Sequence, residues 1–573
     1  MPKRLCVIGL SSLLVAACSS SGTTNPPLPP CTASSGGHLT LAIAAYTAVD
    51  PTQTMGCAVF PSNAAGPTVE YLVVPQSGST TPNDSEPFRL GGTLLAAPPM
   101  SRALLAPRSG SSAAQEFDLH LRRAERELAA QVPGPLRAPP PPRVVTASIP
   151  VDSGNVRTFK VCNVATCDPR KPSTLSSVTA TALKVGTHIA IYVDNAAPVP
   201  GLTQSDLDDL RAVFDTLLYE TDTLAFGHES DIDQNGQVIV LMTGKVNSLV
   251  TASDCVNKGY IAGYFFGADL ITSGQFSTGN NGEIFYSIVP DVVGTLSCAH
   301  SVSEVKQVVP STFVHEFQHM ISFNQHSLLR PGFPEDLWLN EGLSHYAEEN
   351  AARRFLRTAP PDSATFCNYV YGDLHNAGDY LAAAQDHFLV DTAGIGGLAE
   401  RGAYWLFVRY LVDQFATDTS AAAANAFTRR LVATTQIGAA NAAAATGTPF
   451  RTLVEQWGLT NYVSDLPGFS PPTELQYVKW RFRSDFPNLR ARCPNPRTGV
   501  PPNPNIPAAY TLVPPVLDGS SLQVQGVLRA GSGGYYRLQQ APGGGQFTLL
   551  FSTSTGIALR TSLAPMLSVI RIQ

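Results

Sequence analysis

The sequence predicts an α+β fold, with a β-rich half followed by a helical half and further β-structure at both ends of the chain. Short runs of alternating apolar and polar residues, separated by Gly, Pro and Asn, fill residues 31–92 and 144–200. Apolar residues at helical spacing dominate after Pro310, and strand-like alternation returns from Tyr510. A chain of 573 residues, 44% of them hydrophobic, is long enough for several such domains.

The N-terminus predicts export. An apolar run over residues 5–17 is too short to span a bilayer and ends in Leu-Val-Ala-Ala-Cys, which looks like a bacterial lipoprotein cleavage box. We therefore predict a lipoprotein signal peptide at 1–18 with lipid on Cys18, and an ordinary signal peptide cut nearby is the alternative. Because Ser19 follows, and not Asp, analogy with lipoprotein sorting favours the outer membrane.

The charge excludes one class of partner. The net charge of −6 is small for this length. Nucleic-acid binding normally leaves a basic footprint, so no nucleic-acid partner is expected.

The segments before residue 144 differ in composition. Residues 19–30 are rich in Ser, Thr and Pro and predict a flexible tether, whereas residues 31–92 predict a small β-domain. Residues 93–143 are rich in Ala, Pro and Arg. We interpret them as a linker or a propeptide containing one helix, Ala113–Gln131.

Residues 144–465 predict one large region in which strands precede helices. An amphipathic helix in this region begins after Thr203, which is a suitable N-cap residue. The expected strands are His188–Val193, Val238–Met242, Tyr260–Phe266 and Glu283–Val289, and the later helices are Arg401–Phe415, Ala421–Leu431 and Phe450–Val463. Residues 466–508 then predict a Pro-rich linker, and residues 509–573 a C-terminal β-sandwich.

The cysteines agree with export. Of the 10 cysteines, setting aside Cys6 and Cys18 leaves an even number, which suits an oxidising compartment. Sequence order suggests the pairs Cys31–Cys57, Cys162–Cys167, Cys255–Cys298 and Cys367–Cys493, although about 105 pairings are open.

The strongest motif runs from His315 to His319 in a stretch that is apolar nearly all round. Two His at this spacing lie one helical turn apart on one face, so both imidazoles can reach one Zn²⁺. Glu316 lies beside that face, where a carboxylate can take a proton from water on the metal. A polar stripe on a surface helix is the alternative. The apolar flanks argue against it, because burying these groups without a metal would be costly.

A second helix is predicted around Trp-Leu-Asn-Glu-Gly at 338–342. Catalytic zinc takes three protein ligands and keeps one position open, and Glu341 is the candidate third ligand. His345 and Glu348 follow on the same face. Glu348 either orients a ligand or lies at a solvated helix end, and Glu349 is expected to be solvated. His345 could donate a hydrogen bond to a ligand or be an extra ligand, but a satisfied polar residue is the favoured role.

HEFQH followed by WLNEG resembles the gluzincins, the metallopeptidases with two His and one Glu on zinc, and most of all the hyicolysin-type neutral metallopeptidases. The resemblance implies a thermolysin-like catalytic domain. It also implies that His315, His319 and Glu341 are the zinc ligands and that Glu316 is the general base and acid.

The resemblance is specific from about Leu202 to Phe415, and within it the chain departs from the pattern in three ways. The gap between the second His and the Glu is longer than in thermolysin. His345 stands where thermolysin-like enzymes carry an Asp. The Gly-x-Met-Glu-Asn-type motif of the aminopeptidases is absent from the sequence, which favours an endopeptidase or an exopeptidase built differently.

Zinc peptidases also need a donor to the oxyanion. The segment after Ala399 is similar to the helix that carries a catalytic Tyr in the aminopeptidases, with Ala399 at the aligned position. Tyr404 is the nearest substitute, Tyr380, His375 and His387 are rivals, and core packing is the alternative role of Tyr404.

A second metal is a weaker expectation. Asp231, Asp233 and Asn235 form the DxDxNG start of a calcium loop. Met242 stands where an EF-hand needs a bidentate Glu, so an Asx-rich turn before a strand is favoured over a Ca²⁺ site.

The sequence therefore predicts an exported, lipid-anchored zinc metalloendopeptidase that acts on proteins or peptides outside the cytoplasm. The alternative is a surface adhesion or binding lipoprotein with a vestigial peptidase core, and a zinc hydrolase of another bond type is a minor third. The intact set of His315, Glu316, His319 and Glu341 favours the peptidase.

Overall fold

The computed structural model describes residues 26–64, 66–92, 112–131, 150–271, 280–330, 332–392 and 397–573. The expected signal peptide and Cys18 lie outside these ranges. Among the described residues, no helix is long and apolar enough to cross a membrane.

Strands and helices alternate in groups along the chain. The strands are β1 (Tyr46–Val49), β2 (Cys57–Phe60), β3 (Val69–Ser77), β4 (Ser85–Gly91), β5 (Val156–Cys162), β6 (Leu175–Val185), β7 (Ile189–Asp194), β8 (Val238–Met242), β9 (Gly263–Phe265), β10 (Ile284–Ser287), β11 (Val516–Asp518), β12 (Gln523–Arg529), β13 (Tyr536–Gln540), β14 (Phe547–Thr553) and β15 (Pro565–Arg571). The helices are α1 (Ala113–Gln131), α2 (Gln204–Val213), α3 (Tyr219–Phe226), α4 (Gly244–Asn247), α5 (Ala252–Lys258), α6 (Val302–Phe323), α7 (Leu337–Phe355), α8 (Ser363–Ala382), α9 (Leu398–Phe415), α10 (Ala421–Val432), α11 (Gly438–Thr446), α12 (Phe450–Val463) and α13 (Phe482–Arg492).

One sheet and the helices after it form the central region. The sheet has the order β5-β6-β7-β8-β10-β9, in which β7, β8 and β10 run parallel. The short strand β9 pairs antiparallel with β10 and lies at the edge. Apolar side chains of this sheet and of α6 to α9 share one core, so the sheet supports the helices that carry the candidate site.

The expected elements of this region are confirmed. Thr203 caps α2, since its side chain accepts a hydrogen bond from the backbone N–H of Asp206 in a capping box. β7, β8, α10 and α12 lie within a residue of their expected bounds. The described residues contain both sheets and helices, whereas a thermolysin-like arrangement of them stays a prediction.

The two terminal β-segments form one sandwich, which corrects the expectation of two separate β-domains at 31–92 and 509–573. The sheets β1-β15-β3-β13-β11 and β12-β4-β14-β2 each take strands from both ends of the chain. β4 pairs with β12 on one side and with β14 on the other. Side chains from both segments, including Phe60, Phe88 and Phe551, share one apolar core. Local alternation predicts strands but not their partners, because pairing depends on contacts distant in sequence.

Two segments expected to be linkers contain packed helices. The helix over Ala113–Gln131 is confirmed, but Phe117 and Leu121 of α1 are buried in the core of the central region. In the segment 466–508, α13 buries Phe486 in the same core. The linker interpretation is therefore wrong for the described parts of both segments.

All four expected disulfides are present. They join Cys31–Cys57, Cys162–Cys167, Cys255–Cys298 and Cys367–Cys493. The Cys367–Cys493 bond joins α8 to the segment after residue 466, so this segment is not a free linker.

Candidate metal centre

The three candidate ligands lie on two helices that pack together. α6 begins after Ser301, whose side chain accepts a hydrogen bond from the backbone N–H of Glu304. Its second half is buried on all sides, as the apolar flanks of the motif predict. α7 contacts this half of α6 and carries the third candidate ligand.

His315, His319 and Glu341 meet in one buried cluster, as the sequence predicts. Glu341 Oε1 lies 3.1 Å from His319 Nε2, and its Oε2 lies 3.6 Å from His315 Nε2. One ligand atom of each residue lies within 4.8 Å of the other two. Within the described residues, neither oxygen of the buried Glu341 carboxylate receives a hydrogen bond of good geometry. A divalent cation between the two imidazoles and this carboxylate would satisfy all three groups.

Burial and charge act together on the protonation of two of these groups. Burial alone would raise the pKa of Glu341, but Arg401 and His319 hold it well below its usual range. Burial lowers the pKa of His319, and the positive charge of Arg122 lowers it further. A carboxylate beside a neutral imidazole is the pair of forms that binds a metal.

Glu316 lies beside the cluster and is held by the edge strand. Its Oε2 accepts a hydrogen bond of 2.9 Å from the backbone N–H of Phe265 in β9. Arg122 Nη2, from α1, lies 3.9 Å from the same oxygen. Burial raises the pKa of Glu316, although both candidate His ligands oppose this effect. A fixed carboxyl group with a raised pKa can take and return a proton, as a general base and acid must.

A chain of polar groups, all buried except the partly exposed Glu348, lies on the Nδ1 side of His315. Its Nδ1 is 2.7 Å from Glu348 Oε1, which is 3.1 Å from His345 Nδ1. The same nitrogen of His345 is 2.8 Å from Asp373 Oδ1. Burial lowers the pKa of His345, but contacts with Asp373 and Glu348 raise it to about 9. Burial would raise the pKa of Glu348, yet hydrogen bonds from the two His lower it to about 2. Glu348 is thus an anion placed to orient His315, the first of its two expected roles. His345 lies near two carboxylates, but neither of its ring nitrogens makes a hydrogen bond of good geometry among the described residues, so its role stays a prediction.

Arg401 of α9 lies against the cluster, and sequence reasoning misses it. Its Nη1 is 3.1 Å from Glu341 Oε2, and its Nη2 is 3.0 Å from Asp118 Oδ2 of α1. Asp118 also pairs with Arg122, 3.2 Å away. An Arg in the first turn of a helix resembles an ordinary surface residue in sequence, so only the three-dimensional neighbours identify it.

Glu349 is buried, which contradicts the expectation that it is solvated. Its Oε1 accepts hydrogen bonds from Arg353 Nε at 2.7 Å and Trp480 Nε1 at 2.9 Å, and its Oε2 from Trp405 Nε1 at 3.1 Å. Arg409 Nη1 lies 3.3 Å away. Most of these partners come from α9 and from the segment after residue 466, so the local sequence of α7 does not reveal them.

Tyr404 is buried, and its hydroxyl donates a hydrogen bond to Asp391. Burial and the Asp391 charge raise the Tyr404 pKa well above its usual range. Among the described residues, no hydrogen bond joins this hydroxyl to the three candidate ligands. The rivals also have other contacts: Tyr380 with a serine hydroxyl, His375 with a backbone carbonyl and His387 with a glutamate. An oxyanion role for Tyr404 stays a prediction.

The calcium-like loop has an acidic neighbour that its sequence lacks. Ligand atoms of Asp231, Asp233 and Glu283 lie within 4.8 Å of one another. Glu283 precedes β10, and burial raises its pKa to about 7. The side chain of Asn235 donates a hydrogen bond to Asp233 Oδ2 at 2.9 Å and is not part of the cluster. The structure thus brings together two of the three expected groups.

The comparisons with known proteins give one partial similarity. No protein-family model matches the chain. The chain is 28% identical over 198 residues to the neutral metalloprotease ShpI of Staphylococcus hyicus. The aligned part covers 34% of this chain and 40% of that protein, so it spans less than half the length of the relative. This partial similarity favours a relationship to metallopeptidases.

Proposed function

We propose that the chain is a zinc-dependent metallopeptidase of the gluzincin type whose metal is held by His315, His319 and Glu341. The observation that carries this proposal is the buried cluster in which Glu341 Oε1 lies 3.1 Å from His319 Nε2, with the Glu316 carboxylate alongside. Two imidazoles, which are neutral when they bind a metal, and one carboxylate are a donor set that suits Zn²⁺ and leaves one position open. Neither oxygen of the Glu341 carboxylate accepts a hydrogen bond of good geometry among the described residues. Arg401 lies beside Oε2, whereas Oε1 faces His319, which supports a cation at this point.

The protein groups would share the remaining work. Zn²⁺ in this cluster would polarise the scissile carbonyl and lower the pKa of a water to about 7. Glu316 would take the proton of the attacking water at its carboxylate and return it to the leaving amine. The Phe265 N–H fixes that carboxylate, and burial raises its pKa, so it can hold the proton between the two steps. Glu348 would keep His315 in its binding orientation.

The finer assignments rest on sequence. The lack of an amino-terminus-binding motif supports an endopeptidase. The N-terminal apolar run with Cys18 supports export and a lipid anchor, and Ser19 after it supports the outer membrane. The four disulfides agree with an oxidising compartment. Substrates would then be extracytoplasmic proteins or peptides.

The proposal is tested by measuring metal content and hydrolysis together. Purified protein is analysed for zinc and incubated with a peptide library, before and after treatment with o-phenanthroline and zinc. Glu316→Gln is expected to keep zinc and to lose most hydrolysis, whereas His315→Ala is expected to lose both. Glu304→Gln, in the first turn of the same helix, is the matched control and should hydrolyse like the unaltered protein.

Two outcomes oppose the proposal. Hydrolysis by Glu316→Gln at the unaltered rate would show that this carboxylate is not the base. A protein that binds no zinc and cleaves no peptide would instead favour a surface binding lipoprotein with a vestigial core.

A calcium site near Asp231 and Asp233 remains a separate prediction. Glu283 supplies the carboxylate that the loop sequence lacks. Calcium is expected to raise the unfolding temperature of the unaltered protein but not the unfolding temperature of Glu283→Gln.

A further inference from the structure

We propose that α1 is an intramolecular inhibitor that occupies the substrate-binding edge of the central sheet and restrains the catalytic groups. This inference rests on the proposed peptidase function. Its starting point is the face of α1 formed by Asp118, Arg122 and Glu125, which a helix brings to one side. All three side chains are buried, although charged residues of a surface helix normally face water.

The first contact is with edge strand β9. Arg122 Nη2 donates a hydrogen bond of 2.6 Å to the backbone carbonyl of Phe265. Glu125 Oε1 accepts one of 2.6 Å from the backbone N–H of Gly267, just after the strand. Unpaired N–H and C=O groups of an edge strand are the groups to which an extended peptide binds. While α1 is in place, side chains of α1 already satisfy these groups.

The second contact is with the candidate catalytic groups. The Arg122 guanidinium lies 3.9 Å from Glu316 Oε2, so it occupies space and places a positive charge beside the proposed general base. Asp118 pairs with Arg401 at 3.0 Å, and Arg401 lies 3.1 Å from Glu341. A single helix therefore reaches the proposed general base directly and a proposed ligand through Arg401.

The third observation is how α1 is held. The adjacent face of α1 is apolar: Phe117 packs edge-on against Tyr264 with ring centroids 5.0 Å apart, and Leu121 and Leu128 are buried. Buried ion pairs contribute little net stability because desolvation offsets their attraction. The apolar face thus accounts for docking, and the charged face adds specific contacts at the site.

The test loosens the charged face and keeps the apolar face. The double variant Asp118→Asn/Arg122→Gln removes both charges, with an isosteric amide at position 118 and a shorter uncharged polar side chain at position 122. Zinc content and kcat/KM for a quenched fluorescent peptide are measured in the full chain. A competent state that is only about 1–10% populated reduces activity at least tenfold. We therefore expect kcat/KM to rise about tenfold or more in the double variant. Glu127→Gln is the control, because this exposed residue of α1 contacts Arg170 away from the site and its loss should change nothing.

The outcomes separate the two proposals. Higher hydrolysis by the double variant that Glu316→Gln abolishes supports inhibition by α1. Equal hydrolysis by the variant and the unaltered protein overturns the inhibitor and leaves the peptidase intact. No hydrolysis by either zinc-loaded protein overturns the peptidase itself. If the double variant folds poorly by circular dichroism, Asp118→Asn alone gives the same comparison. Amide hydrogen exchange at Gly267, expected to be slower in the unaltered protein, then gives a second measurement.

Discussion

His315 Nδ1 lies 2.7 Å from Glu348 Oε1, while the Nε2 of the same ring faces Glu341. A hydrogen bond from Nδ1 to a carboxylate fixes the ring orientation and leaves Nε2 with its lone pair towards the metal position. Glu348 is therefore a positioning residue for a candidate ligand. The contact depends on the side-by-side packing of α6 and α7, which the two sequence motifs do not specify.

We predict that Glu348→Ala weakens zinc binding about 10–100-fold, the usual cost of losing a carboxylate that orients a metal-binding His. Glu348→Gln should recover part of the loss, because an amide oxygen can still accept from Nδ1. Zinc affinity is measured by competition with a chromogenic chelator. Unchanged affinity in Glu348→Ala would remove Glu348 from the proposed mechanism.

The Tyr404 variant tests the oxyanion donor. Loss of such a donor lowers kcat about 10²–10³-fold. Since the Tyr404 hydroxyl bonds to buried Asp391, we expect Tyr404→Phe to reduce unfolding free energy by about 1–3 kcal/mol and to change kcat less than tenfold. Urea denaturation and steady-state kinetics of the same preparation check both values. A large fall in kcat at unchanged stability would instead support the catalytic role predicted from sequence.

Asp391 should make stability depend on pH. Burial raises its pKa to about 8 in the folded protein, above the ordinary value of 3.8. Between these values the unfolded chain has lost the proton while the folded protein keeps it, so this group's contribution to stability falls as pH rises and is lost through about pH 8. Asp391→Asn retains an oxygen acceptor for Tyr404 but does not titrate.

The measurement is the unfolding free energy of both proteins in urea at about pH 5 and about pH 9. Over this interval the unfolding free energy of the unaltered protein should fall by at least about 1 kcal/mol more than that of Asp391→Asn, since each unit of pKa shift corresponds to about 1.4 kcal/mol. Parallel changes in the two proteins would show that Asp391 is ionised throughout.

Local patterns predict local features well. The spacing of His315 and His319 depends only on helix geometry, and the apolar flanks correctly indicate a buried helix. Thr203 as an N-cap and the strand Val238–Met242 likewise depend on neighbours within a few residues. The position of Glu341 near His319 could also be predicted, because the motif on the second helix contains the candidate third ligand.

Features that depend on distant partners are not predicted. Glu349 resembles a solvated helix end until Trp405 and Trp480 are brought to it. The role of Arg401 follows only from its position beside Glu341. The Pro-rich segments on either side of α1 indicate a linker, so the sequence does not reveal the contacts between α1 and the site. The disulfide pairs, by contrast, follow simple sequence order, since each joins cysteines that are adjacent in that order.

The shared sandwich gives the last prediction. Deleting residues 509–573 removes β12 and β14, the two partners of β4, together with both partners of β3. Because an isolated hairpin is at best marginally stable, the segment 31–92 should unfold with them, although local alternation suggested an independent domain. We expect the truncated chain to lose protease resistance within 31–92, as identified by mass spectrometry of the fragments, and to regain it when the deleted segment is co-expressed. Continued resistance of 31–92 in the truncated chain would contradict a single folding unit, since neither sheet can form from the N-terminal strands alone.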